Sequence, residues 1–101
     1  AMEMIECFIA EYFNVDARYF ELDKAINKFQ RIQKNIYKKQ LILELEVIIN
    51  NCNYQLLIDC ILKLGERKFS KRMSEEFIRY LYARLKNKKP RLTLEQLFKI
   101  R

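Results

Sequence analysis

The 101-residue chain contains no histidine and no tryptophan, and a single glycine and a single proline. Each shortage excludes something. Without histidine, the commonest general base and the commonest metal ligand are missing. A zinc site would have to be completed by Asp or Glu beside Cys7, Cys52 or Cys60, and Cys52 and Cys60 are not in a C-x-x-C arrangement. One Gly and one Pro cannot supply the turns that an all-β or α/β domain of this length requires. No glycine-rich loop is present to cradle a phosphate. No apolar run approaches the ~18 residues of a membrane span. The first residues, Ala1-Met2-Glu3-Met4-Ile5-Glu6, are acidic and lack the basic start of a signal peptide. Ala1 before Met2 reads as a tag scar.

What is present is half hydrophobic and one third charged. Such a chain can bury a core of one domain, 1–101, and is not disordered. The odd number of cysteines in apolar surroundings points to reduced, buried thiols in an intracellular chain. The net charge of +7 is unevenly placed. Residues 63–101 hold thirteen Lys and Arg against four Glu, a net of +9, whereas residues 1–62 carry −2.

Helical spacing organises the whole length. Ile5, Phe8, Ile9, Tyr12 and Phe13 give a first helix over 2–13. Leu22, Ala25, Ile26, Phe29, Ile32, Ile36 and Tyr37 fall on one stripe of a second, expected over 17–38. Residues 39–64 are apolar on most sides and break at Asn50-Asn51-Cys52-Asn53. They read as a central αα-hairpin, or alternatively as two buried strands; the Leu-rich content with Glu44 and Glu46 favours helix. Gly65 is expected to end the hairpin as a C′ glycine. Ser74 is expected to cap the next helix, 74–87, which Pro90 terminates. Thr93 and Gln96 fit a capping box for a short last helix. The expected fold is an all-α, single-domain bundle of five or six helices.

Catalysis finds little to use. Glu44 and Asp59 lie on apolar helices and would have a raised pKa if buried. A buried carboxylate with no histidine, metal or oxyanion donor is a poor active site, and such a residue more often sits on the solvent side or pairs with a nearby Lys or Arg. Cys52 lies nearest a helix start, yet a packed thiol is the simpler reading. The expectation is therefore a protein that is not an enzyme, with no cofactor, no metal and no membrane partner. Six tyrosines and many arginines favour protein binding. Tyr80, Tyr82, Arg79 and Arg84, with Glu21 and Asp23, are the candidate contact residues. The alternative is a small nucleic-acid-binding regulator. Arg67, Lys68, Lys71 and Arg72 form one basic cluster, and Lys86, Lys88, Lys89 and Arg91 a second. If the fold joins them they offer phosphates a continuous face, with Tyr80 and Tyr82 to stack on bases.

The run Glu21-Leu22-Asp23-Lys24-Ala25-Ile26-Asn27-Lys28-Phe29, the apolar hairpin, and Glu76-Phe77-Ile78-Arg79-Tyr80-Leu81-Tyr82-Ala83-Arg84-Leu85-Lys86 together resemble small all-helical bacterial immunity proteins. Those of contact-dependent growth inhibition systems and of some colicins are the nearest in style. The resemblance implies a cytoplasmic inhibitor that binds a toxin domain, often a nuclease, and occludes its active site. It carries no residue roles, because that group shares no functional positions. Inhibitors of nucleic-acid-cleaving toxins tend to be acidic, whereas this chain is basic. Glu11, Asp16, Glu21, Asp23, Glu44 and Glu46 are the acids available for a local negative patch.

Overall fold

A computed structural model describes residues 2–101. Six α-helices and no strand occur among them: α1 Glu3–Cys7, α2 Leu22–Ile32, α3 Asn35–Asn51, α4 Tyr54–Gly65, α5 Lys71–Leu85 and α6 Leu94–Leu97. The first apolar stripe folds as expected over its length, but not as one regular helix. α1 widens into a π-helical turn, Phe8–Tyr12, closed by Phe13 N–H donating to Phe8 O at 3.0 Å. The start of α1 has no local side-chain cap. Glu44 of α3 supplies one, accepting from Met4 N at 3.0 Å and from Ile5 N at 3.0 Å. A carboxylate facing exposed N–H groups at a positive helix end is favourable on both counts.

The second stripe departs from its expected course. A 3₁₀ turn, Tyr19–Glu21, opens α2, and α2 stops at Ile32 instead of running to Lys38. Lys34 is extended, and α3 starts afresh at Asn35. Two physical reasons account for the break. A straight helix from Leu22 to Asn51 would be about 45 Å long, longer than the 34 Å greatest extent of the molecule. Bending instead returns Leu41, Leu45 and Ile48 to the core, where all are buried. The corner is held by Gln33, whose Nε2 donates to Tyr12 Oη at 2.8 Å. The working core stripe of α2 is Leu22, Ala25, Ile26 and Phe29. Ile32, Ile36 and Tyr37, expected on that stripe, are 54%, 67% and 41% exposed.

The 39–64 segment is helical, and the strand alternative falls away. α3 and α4 meet at a tight turn in which Cys52 takes left-handed backbone, φ 52°. The expected central position of this hairpin is only partly met. α5 is the element with most neighbours, packing on α2, α3, α4 and α6. One side of α3 and one side of α4 therefore face solvent.

Gly65 has a different role from the expected one. It lies inside α4, and Glu66 takes the left-handed C-cap position at φ 50°. A Cβ at Gly65 would stand 2.9 Å from Arg67 Nη1. The missing side chain makes room for that guanidinium. Ser70, not Ser74, caps α5, its Oγ accepting from Met73 N at 3.0 Å. Ser74 is instead buried one turn further on, its Oγ donating to Ser70 O at 2.9 Å. The extra turn carries Met73 into the core. The Thr93–Gln96 capping box forms as read, with reciprocal bonds of 3.1 and 2.9 Å.

The core is dominated by Phe8, Phe13, Phe29 and Phe77, all fully buried. Phe8 and Phe29 meet edge to face at 5.7 Å, as do Phe69 and Phe77 at 5.3 Å. Such pairs add about 0.5–1.5 kcal/mol beyond the area they bury. The first pair ties the π turn to α2, and the second ties the segment after α4 back onto α5.

Candidate interaction surfaces

α5 positions four of the six candidate contact residues. Tyr80 and Arg84 are one turn apart and share a face. That face meets α2. The Tyr80 hydroxyl donates to Asp23 Oδ1 at 2.6 Å, and Arg84 pairs with Asp23 and with Asn27 Oδ1. Gln30 Nε2 donates to the Arg84 carbonyl at 3.2 Å. Burial, reinforced by the bond to Asp23, pushes the Tyr80 phenol up to about 12. These residues form a clamp between α2 and α5, with Asp23 at its half-exposed edge. Glu21 stands apart from it, its carboxylate accepting from Arg18 N at 2.9 Å to cap the 3₁₀ turn.

Arg79 and Tyr82 project elsewhere. They help line an open groove of about 350 Å³ with Tyr80, Ile49 of α3, Glu76, Ala83 and the Pro90–Leu92 segment. The Tyr82 hydroxyl donates to Glu46 at 2.6 Å, and this bond raises its pKa. Arg79 is held loosely by Glu75 at 3.5 Å. Arg91 pairs with Glu76 through both carboxylate oxygens at the rim. An apolar wall from Ile49 and Leu92 thus lies beside a fixed tyrosine and two arginines.

The two basic clusters do not merge. Lys68, Lys71 and Arg72 lie before and within the first turn of α5, and Lys86, Lys88 and Lys89 lie beyond its last turn. Fifteen residues of helix separate these ends, about 22 Å. Arg79 and Arg84 between them are paired with Glu75 and Asp23, and Arg91 with Glu76. Arg67 is buried and takes no part in a basic face. It is 8% exposed, donates to Phe13 O at 2.8 Å and Asn14 O at 2.7 Å, and bonds Ala17 O. Its guanidinium stacks 4.0 Å above the Phe13 ring. Burial lowers its pKa from the ordinary value. Arg67 ties the 13–17 loop to the end of α4. Phe69 and Tyr80 are buried, which leaves Tyr82 as the one half-exposed aromatic of that set.

The candidate negative patch is dispersed in the same way. Glu44 caps α1, Glu46 holds Tyr82, Asp23 holds Arg84, and Glu11 accepts from Cys7 Sγ at 3.0 Å. Asp59 lies on the solvent side, as the simpler reading expects, and accepts from Gln55 at 2.8 Å. The cysteines also differ from expectation. Cys60 is buried and Cys7 half-buried, but Cys52 is exposed. Burial pushes the thiols of Cys7 and Cys60 up to about 11, so both are protonated at neutral pH. Among the described residues no group of His, Cys, Asp and Glu is arranged to hold a metal, and no helix is long and apolar enough to cross a membrane.

The sequence reading missed the outer side of α3. Ile36, Leu43 and Val47 are 67%, 61% and 57% exposed there. The signal was available: residues 24–43 hold six Lys and Arg and no acid, and a helix apolar on all sides shows a face to water unless neighbours surround it.

Compared with known proteins, the chain matches no family model, no curated protein sequence and no solved structure.

Proposed function

We propose that this chain is a non-catalytic module that binds one protein partner, and that it acts as an immunity protein neutralising a bacterial toxin domain by occlusion. The groove on α5 carries this reading. Tyr and Arg are the side chains that most often dominate interface energetics. Here Tyr82 and Arg79 stand beside an apolar wall of Ile49 and Leu92, with the Glu76–Arg91 pair at the rim. An apolar centre with a polar rim is the usual anatomy of a specific interface. The groove is also preorganised. Tyr82 is held by Glu46, and the clamp of Asp23, Tyr80 and Arg84 fixes α5 on α2. Preorganisation lowers the entropy lost on binding.

Inhibition follows from shape in this reading. A rigid helical face seated on the toxin excludes its substrate without chemistry on either side. The excess positive charge steers the module toward an acidic surface of the toxin, away from a cleft that binds nucleic acid. A cytoplasmic location belongs to the same proposal, since the toxin would be met where it acts.

The test is affinity capture from a lysate of the source cell at physiological salt, with and without nuclease. The proposal expects one stoichiometric protein that survives nuclease and whose retention falls about thirtyfold or more in Arg79→Ala/Tyr82→Ala, the scale of two interface anchors. Charge reversal at Lys88 and Lys89, which do not line the groove, is expected to leave capture intact. Recovery of RNA or DNA that this reversal abolishes would support the nucleic-acid reading and refute the proposal.

A further inference from the structure

α3 is a helix with two apolar sides. One side, Leu41, Leu45 and Ile48, is buried against the rest of the bundle. The other holds Ile36, Leu43 and Val47, each more than half exposed. At 100° per residue these three lie within about 40° of one another around the axis. With Gln40 and Asn50 they follow the alternating four- and three-residue spacing by which one helix packs along another. The seam runs along the whole of α3, which spans Asn35–Asn51. Ile49, which lines the α5 groove, lies well round the helix from it.

The charge along this seam is one-sided. The corner at its N-terminal end carries Arg31 from the last turn of α2 with Lys34, Lys38 and Lys39, of which Lys39 borders the seam, and Ile32 and Tyr37 are exposed at the same corner. None of these cations makes an ion pair among the described residues. The first turn of α3 contains no acid. Cations at a helix N-terminus are unfavourable toward the helix dipole, so a positive potential stands unanswered at this corner.

We propose that the outer side of α3 is a docking seam for an amphipathic helix of a partner protein, which carries its acidic residues toward the α2–α3 corner. The chemistry selects this occupant. A phosphate backbone has nothing to offer Leu43 and Val47, which lie about one and two turns beyond Lys39. A bilayer is met by a broad apolar face, whereas this seam is narrow, borders Glu46 and belongs to a helix bound to the core on its other side. A second copy packed parallel along the seam would set these cations against its own; an antiparallel copy is an outcome of the test below. A helix with apolar residues at matching spacing and Asp or Glu at one end satisfies both features. The seam is separate from the α5 groove, and the inference stands without that groove.

The test uses the full ¹⁵N-labelled chain and a helical peptide of three heptads, with Leu at a and d and Glu at e and g, against a scrambled peptide of the same composition. The expected result is shift changes centred on Ile36, Lys39, Leu43 and Val47, and affinity for the heptad peptide about tenfold or more above the scrambled one. Leu43→Ser/Val47→Ser and, separately, Lys34→Glu/Lys39→Glu are each expected to lower that affinity about tenfold or more. All four positions are exposed, so circular dichroism is expected to show folded variants; Ile36→Ser alone is the substitute for any that is not. Equal binding of the two peptides, or shifts centred elsewhere, would overturn the proposal. So would a dimer of the chain alone that Leu43→Ser abolishes, which assigns the seam to a second copy. Uptake on phosphatidylserine vesicles lost in the same variant would assign it to a membrane and overturn the proposal as well.

Discussion

Replacing Glu44 by Ala removes the cap of a helix forty residues away in sequence. Glu44 is 7% exposed and accepts from two backbone donors, Met4 N and Ile5 N, and from Gln40 Nε2 at 2.9 Å. A hydrogen bond to a charged group contributes about 1.5–3 kcal/mol. The alanine leaves both N–H groups without an acceptor, although fraying of the first turn lets water reach part of them. The expected loss is about 2–4 kcal/mol, a large share of the ~5–15 kcal/mol that stabilises a domain of this size. That corresponds to a fall in Tm of roughly 10–25 °C. Glu44→Gln keeps one oxygen and is expected to lose about half as much. Urea and thermal unfolding followed at 222 nm give both numbers, and hydrogen exchange of the Met4 and Ile5 amides reports the cap itself. A loss below about 0.5 kcal/mol for the alanine variant, or unchanged exchange at those amides, would refute the reasoning.

Four further outcomes follow from particular contacts. Arg67→Lys is expected to cost about 2–4 kcal/mol in urea unfolding, because an ammonium cannot reach Phe13 O, Asn14 O and Ala17 O together. Gly65→Ala is expected to destabilise the wild-type chain but to stabilise an Arg67→Met background by about 0.5–1 kcal/mol, since the clash is with the pinned guanidinium and alanine otherwise favours a helix. Tyr54→Phe is expected to raise stability by about 1 kcal/mol in the same assay, because the buried Tyr54 hydroxyl has no partner. The raised values of Cys7 and Cys60 mean that the unfolded chain releases these protons first, so stability is expected to hold below pH 9 and to fall between pH 9 and about 11. Urea midpoints across that range measure it, and iodoacetamide at pH 8 is expected to modify Cys52 first.

Where the sequence punctuates itself, the fold was legible in it. Thr93 and Gln96, Pro90, and the stripe Leu22, Ala25, Ile26 and Phe29 led to the right elements, because caps, prolines and periodicity act locally. The break at Gln33–Lys34 was not legible. No Gly or Pro marks it, and it is set by a bond from Gln33 to Tyr12 and by the size of the core. The same blindness hid the exposed seam, because Ile32, Ile36 and Tyr37 fit the apolar stripe of a straight helix. Charge was misread for a related reason. Nothing local distinguishes Arg67 from Lys68, yet one is locked in the interior and the other is in water. Of the proposed contact set, Tyr82, Arg79 and Tyr80 line the groove, while Tyr80 and Arg84 also bind Asp23. Opposite charges spaced across two helices find each other before any partner does.

The central claim, that the chain works by binding one protein, is tested most directly by the mass of the complex it forms in a nuclease-treated lysate of its source cell. Native mass spectrometry of the captured material is predicted to give a 1:1 assembly with one other protein, and that species is predicted to disappear in Arg79→Ala/Tyr82→Ala. A chain recovered alone after nuclease treatment, having entered with RNA or DNA, would contradict the account.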